Sequence, residues 1–106
     1  MFETSVLFVP FGPRRIWFGV ARLGRGQTWV VWLSVFGKEV DVLTGWKTRE
    51  RAEAVLDSYL AAAAGGKEPL MAEVESTRSA EDYVVPLPLT EDERKRIVRS
   101  IARRAG

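Results

Sequence analysis

Arginine and tryptophan are interleaved in one short stretch of this chain, RRIWFGVARLGRGQTWVVWL at residues 14–33. The stretch holds four arginines and three tryptophans around a Gly-Arg-Gly centre. Arginines brace phosphates or read guanine, and an exposed tryptophan stacks on an unpaired base, so the mixture is typical of a nucleic-acid-binding surface. The same residues also fit a half-buried hairpin with basic ends. The candidate contact residues here are Arg14, Arg15, Trp17, Arg22, Arg25 and Trp32.

A second group of cations lies near the end of the chain, where residues 94–104 contain six basic side chains. Helical spacing places Lys95, Arg99 and Arg103 on one ridge, with Arg96 beside it. Such a ridge can follow a phosphate backbone. It is equally typical of a solvated helix face whose arginines complement the helix dipole.

The distribution of charge along the chain is uneven. Residues 1–47 carry six basic and three acidic side chains, residues 90–106 repeat that ratio, and residues 48–89 carry four basic and eight acidic ones. A basic front and a basic tail around an acidic centre favour a polyanionic partner, although the net charge is only +2.

Residues for catalysis are sparse. The chain has no histidine and no cysteine, which excludes thiolate nucleophiles, disulfides, the usual zinc sites and the commonest general base. Glu39 and Asp41 could share a cation or a proton, but they also fit the solvent face of an alternating strand. The Gly-Arg-Gly sequence lacks the Lys-Ser/Thr of a phosphate-binding loop. We therefore predict a protein that is not an enzyme and has no metal site and no cofactor.

The elements that must position these side chains begin with four strands. Apolar alternation and turn residues predict strands at 4–9, 15–23, 28–36 and 39–43. In the second strand Trp17 lies on the face opposite Phe18, and in the third Trp32 lies on the face opposite Trp29. Both faces of the third strand are apolar, which predicts a central strand covered on both sides. We expect Trp29 in the core and leave Trp17 and Trp32 open between core and contact surface.

Helical periodicity appears twice later in the chain. Thr48 and the apolar spacing after it predict a helix over 49–64, ended by Gly65-Gly66 as a left-handed cap. Thr90 and Glu93 form a capping box for a basic helix over about 91–104. Between these helices, residues 67–82 fit either a short strand or a helical turn, and YVVPLPL at 83–89 predicts an extended edge segment because of its prolines.

The stretch from RRIWFGVARL through VDVLTGWKTRERAEAVLDSYLAAA resembles a known layout. It is similar to the three-strand-plus-helix DNA-binding domains of plant ethylene-response factors and of phage-integrase arm-binding domains. The matching positions are Gly45, Trp46, Thr48, Ala52 and Asp57. The resemblance covers residues 14–64 and implies DNA contacts by Trp17, Arg22, Arg25 and Trp32. The apolar run at 28–36 departs from that family, in which arginine and glutamate point from the sheet to DNA.

These observations predict a single α+β domain over residues 1–106. It comprises a four-stranded antiparallel meander (1–47) packed by one helix (48–66), an irregular or extended segment (67–89) and a basic C-terminal helix (90–106). Because both sheet faces are apolar, we expect some apolar surface that a homodimer would bury. The predicted function is nucleic-acid binding through the basic aromatic hairpin and the terminal helix. The alternative is a small regulator that docks on a larger protein through its aromatic sheet face.

The composition also carries two expectations about the setting of the protein. No apolar run approaches the length of a membrane span, and the start of the chain lacks a signal-peptide layout, which predicts a cytoplasmic protein without a membrane partner. Twelve arginines against four lysines, one glutamine and no asparagine favour a thermophilic source.

Overall fold

A computed structural model describes residues 2–11, 14–23, 28–65 and 69–105. These residues form a mixed α+β fold in which a sheet carries helices on both faces. In chain order the elements are β1 (Leu7–Phe11), β2 (Arg14–Leu23), β3 (Thr28–Val35), β4 (Glu39–Trp46), α1 (Arg49–Ala64), α2 (Pro69–Arg78), β5 (Tyr83–Val84) and α3 (Glu91–Ala105).

The described strands form one antiparallel sheet in the order β1-β2-β3-β4-β5. The predicted meander of four strands is confirmed, and β5 adds a short fifth strand against the end of β4. The segment before β1 continues along β2, where the Ser5 N–H donates to the Val20 carbonyl at 2.8 Å. Gly19 permits this approach, because a Cβ atom there would lie 1.9 Å from the Ser5 carbonyl oxygen.

Side chains alternate between two cores along β2 and β3. Phe18 and Val31 pack under α1 and α2, whereas Trp32 and Ala21 pack under α3. The predicted alternation is therefore confirmed, and α3 of the same chain covers the second face of the sheet. The apolar side chains of this second core are therefore covered within the chain, whereas Phe8 beside Trp17 is 46% exposed, and the homodimer stays a prediction.

β4 extends beyond its predicted end at residue 43 to Trp46, and its pairing with β3 contains an irregularity. Trp32 pairs with Val42 and Val31 pairs with Thr44, which leaves Leu43 as an extra residue in β4. The extra residue changes the alternation, so that Val40 packs under α3 while Trp46, six positions later, packs under α1 and α2. A single period of two cannot describe the whole strand.

α1 has the predicted bounds and the predicted cap at its beginning. The Thr48 hydroxyl accepts a hydrogen bond from the Arg51 N–H at 3.2 Å. At the other end Gly65 has φ −72°, which is right-handed. The predicted left-handed glycine cap is therefore wrong for this residue, and Gly66 lies outside the described residues.

α2 occupies part of the segment that the sequence left irregular. Leu70 and Val74 are buried against α1, and Pro69 begins the helix at a position where a missing N–H costs nothing. At the end of α2 the Arg78 guanidinium donates two hydrogen bonds to the Leu43 carbonyl of β4, at 3.0 and 2.9 Å. These bonds attach the helix to the sheet.

α3 begins with the predicted capping box. The Thr90 N–H donates to Glu93 Oε1 at 2.8 Å, and the Glu93 N–H donates to Thr90 Oγ1 at 3.1 Å. Ile97 and Ile101 then face the sheet and are buried. Because these two residues lie one turn apart on the inner face, the cations between and after them point away from the core.

Candidate nucleic-acid interface

The arginines of the hairpin stretch do not form one cluster. β2 is a ten-residue strand, and Arg15 and Arg22 are separated along it by roughly 23 Å, at about 3.3 Å per residue. Both side chains are exposed. Arg25 and the side chain of Arg14 lie outside the described residues. The structure therefore places Arg15 and Arg22 at opposite ends of β2.

Trp17 and Trp32 are core residues, which corrects their assignment as candidate contacts. Trp32 is 0% exposed and donates its indole N–H to Thr4 Oγ1 at 3.1 Å. Trp17 is 7% exposed and packs on Phe8 with ring centroids 4.8 Å apart. Both lie on the face that α3 covers, so neither ring can stack on a base while α3 is docked.

Trp29 is the tryptophan of this stretch that keeps solvent contact. It packs against the first core but is only half-buried, and two guanidinium carbons lie near its ring, that of Arg22 at 6.0 Å and that of Arg49 at 5.6 Å from the centroid. The prediction that Trp29 lies in the core is therefore only partly right. The hydrogen bond and the charge of Glu53 raise the pKa of Arg49. We call Arg22, Trp29 and Arg49 the hairpin-end cluster.

The predicted ridge of α3 is present on the surface. Lys95, Arg99 and Arg103 are all exposed, and Arg96 lies beside them. Two exposed ion pairs within the helix involve this ridge, Lys95 with Glu91 at 3.3 Å and Arg96 with Asp92 at 2.9 Å. Exposed pairs of this kind are weak and do not prevent a lysine or arginine from binding phosphate.

The turn between β3 and β4 lies against α3 and builds a groove with it. Gly37 has φ +72°, and a Cβ atom there would lie 3.1 Å from a methyl carbon of Ile101. This close approach brings Lys38 next to the exposed side of the helix. The resulting open groove has a volume of about 640 Å³ and is lined by Lys38, Glu91, Arg94, Lys95, Val98 and Arg99. We call it the basic groove.

Four of the six residues that line the basic groove are cations, and one is a carboxylate. That carboxylate, Glu91, is the ion-pair partner of Lys95. Lys38, Arg94 and Arg99 have no ion-pair partner within the described residues, and all three are exposed. The groove thus concentrates positive charge that the protein itself leaves available. Sequence reasoning named Lys95 and Arg99 and counted Arg94 among the six cations of residues 94–104. It missed Lys38, because only the folded turn brings this residue to the helix.

Phe36 lies at the same end of the sheet. Its side chain is 58% exposed. Its backbone has a φ of 61°, a conformation that bulky residues rarely adopt. The Phe36 N–H donates to the Arg15 carbonyl at 2.7 Å, which places exposed Arg15 at this end as well. Lys38 also borders a depression of about 320 Å³ that Val35, Phe36, Glu39 and Asp41 complete. The sequence signal was available, since an aromatic residue directly precedes a turn glycine.

The two carboxylates considered for catalysis, Glu39 and Asp41, line the depression beside Phe36. Another carboxylate, Asp82, forms an ion pair with Arg51 at 2.6 Å. In the described ranges no three or more acidic side chains come together in a way that could hold a metal ion.

Taken together, the fold and the surface define an α+β protein with a basic groove between a β-turn and its last helix. Comparison of the chain with protein-family models, with curated proteins and with solved structures gives no match. No helix among the described residues has both the length and the apolar composition needed to cross a bilayer. The resemblance to three-strand-plus-helix DNA-binding domains stays a prediction, and the sheet face opposite α1, which such a domain would present to DNA, lies under α3.

Proposed function

We propose that this protein is a small, non-enzymatic nucleic-acid-binding module that holds the phosphate backbone in the basic groove. The observation that carries the proposal is the groove itself, with Lys38, Arg94, Lys95 and Arg99 around one open space. These cations come from two elements, so their convergence is a property of the fold and not only of an arginine-rich composition.

The charge in the groove also sets the expected strength of binding. Each cation that neutralises a phosphate releases condensed counterions, and log K falls with log salt by about 0.7 per contact on single strands. Four contacts give a slope of about −3, or a loss of roughly 50-fold in affinity between about 50 and 200 mM salt. Because the whole chain carries only +2, we expect modest affinity with a clear salt dependence.

Two exposed lysines provide a matched test of the groove. Lys38 precedes β4 and lines the groove, whereas Lys47 follows β4 at the other end of the sheet, next to the hairpin-end cluster. The strand between them spans roughly 25–30 Å at about 3.3 Å per residue. Lys38→Glu and Lys47→Glu therefore change the total charge identically but change the potential at different places.

The measurement is equilibrium binding of labelled single-stranded and double-stranded DNA and RNA across a salt series. We expect Lys38→Glu to lower affinity about five- to tenfold at about 50 mM salt and to reduce the salt slope by about 0.7, because one phosphate contact is lost. Lys47→Glu should stay within about twofold of the wild type, since only screened long-range charge changes there. Absence of any binding at about 50 mM salt, or equal effects of the two variants, would reject the groove as the binding site.

A second candidate function is association with another protein. The aromatic sheet face named for this role above is covered by helices, so that surface is not available. Another observation favours association, because β1 is an edge strand of the sheet and exposes Leu7 and Phe8. Open edges pair with further strands, and lysine on an edge prevents such pairing. A sedimentation measurement should show a concentration-dependent dimer, and the Leu7→Lys variant should be a monomer. If the wild type is a monomer at every concentration, self-association is rejected.

A further inference from the structure

Phe36 is the feature that nucleic-acid binding through phosphate contacts does not explain. Its backbone adopts φ 61°, in the left-handed region that glycine and asparagine tolerate best, and its ring is 58% exposed. An exposed phenylalanine gains little from burial that could offset this conformation. Residues held in sparsely populated backbone conformations cluster at active sites and ligand-binding sites.

The surroundings of Phe36 separate two kinds of charge. On one side Lys38 joins the turn to the basic groove, whose other cations are on α3. On the other side Phe36 lines the depression, where Glu39 and Asp41 stand beside the same Lys38. A phosphate is attracted to the groove and repelled by these two carboxylates. An uncharged ring that carries hydrogen-bond donors suits the depression, whose volume of about 320 Å³ is at the lower end for small-ligand sites.

We propose that this surface binds single-stranded nucleic acid, with phosphates in the basic groove and one base stacked on Phe36 over the depression. This inference rests on the proposed function and specifies its ligand. A single strand can turn a base outward while its backbone follows the cations on α3. A duplex keeps its bases paired and stacked inside, so it offers phosphates to the groove but no base to Phe36.

Phe36→Asn separates stacking from folding. Asparagine followed by glycine is favoured where two consecutive turn residues have positive φ, as residues 36 and 37 do. The variant should therefore melt no lower than the wild type while it lacks the ring. Phe36→Trp keeps an aromatic face and serves as the matched control.

The test uses fluorescence anisotropy with three labelled DNA probes of about 12 nucleotides: an oligodeoxycytidylate, an abasic strand of equal length, and a mixed-sequence duplex. We expect the wild type to prefer the oligodeoxycytidylate over the other two. Phe36→Asn should bind the oligodeoxycytidylate about five- to tenfold more weakly than the wild type does. The variant and the wild type should bind the abasic strand equally, and the variant should no longer distinguish the abasic strand from the oligodeoxycytidylate. Phe36→Trp should retain the preference.

The outcomes distinguish this inference from the proposed function. Unchanged binding of the oligodeoxycytidylate by Phe36→Asn, together with weaker binding by Lys38→Glu, overturns the base-stacking site and leaves the phosphate groove. Equal affinity of the wild type for the duplex and the single strand also overturns the base-stacking site and leaves the phosphate groove. If no probe binds in a salt-dependent manner, the proposed function itself is overturned.

Discussion

Replacing Ile97 with alanine tests whether α3 is bound to the sheet as firmly as its packing indicates. Ile97 is 0% exposed and belongs to the core that contains Trp17 and Trp32. The change removes roughly three buried carbon groups at about 0.8 kcal/mol each, or about 2.4 kcal/mol. The cavity that is left raises the cost to roughly 3–4 kcal/mol. This cost is a large fraction of the free energy of unfolding of a small domain, which is roughly 5–15 kcal/mol.

Urea denaturation followed by tryptophan emission measures this loss, and thermal unfolding should show a fall in Tm of roughly 15–25 °C. Ala102→Gln on the exposed side of the same helix is the control, and we expect a change within about 0.5 kcal/mol. A cost below about 1 kcal/mol for Ile97→Ala would refute the docking of α3. In that case Trp17 and Trp32 would return as candidates for base stacking on an open sheet face.

Three further predictions address single contacts. Tyr59→Phe should lower the free energy of unfolding by about 1 kcal/mol in urea denaturation, because the hydroxyl that contacts Thr77 is lost while the ring stays packed; an unchanged value would contradict the hydrogen bond. Thr90→Ala should cost about 1 kcal/mol through the lost cap of α3, whereas Thr90→Ser should cost less than half as much. If Asp41 accepts from the amino group of a stacked base, wild type should bind oligodeoxycytidylate more tightly than oligothymidylate, and Asp41→Asn should narrow that difference in the anisotropy assay.

The strands and the outer helices could be predicted because their signals are local. The period of two along β2 and β3 sorts side chains between faces whatever covers them, and the caps at Thr48 and Thr90 act within one helical turn. α2 could not be predicted with the same means. Its inner face rests on two buried apolar residues one turn apart, Leu70 and Val74, which also fit a short strand.

Only some residues of the candidate site could be predicted from the sequence, because some are placed by local spacing and others by distant contacts. Exposure of Lys95 and Arg99 follows from helical spacing alone, because the opposite side of the helix carries the apolar residues. The relevance of Lys38 depends on Gly37 meeting Ile101 across more than sixty positions of sequence, a contact that no local pattern contains. The apolar run at 28–36 predicts that Phe36 belongs to a strand, whereas its positive φ places it in the turn.

The amino-acid sequence by itself determined which side chains share a face, where α1 and α3 begin, and that histidine and cysteine chemistry is excluded, since these depend on neighbours in the chain and on composition. Tertiary structure alone decided the environment of each tryptophan. α3 docks over Trp17 and Trp32, while Trp29 lies at the end of the sheet beside two arginines and keeps solvent contact. Apolar side chains occur on both faces of the strand, but their burial differs because it depends on which distant element packs on each face.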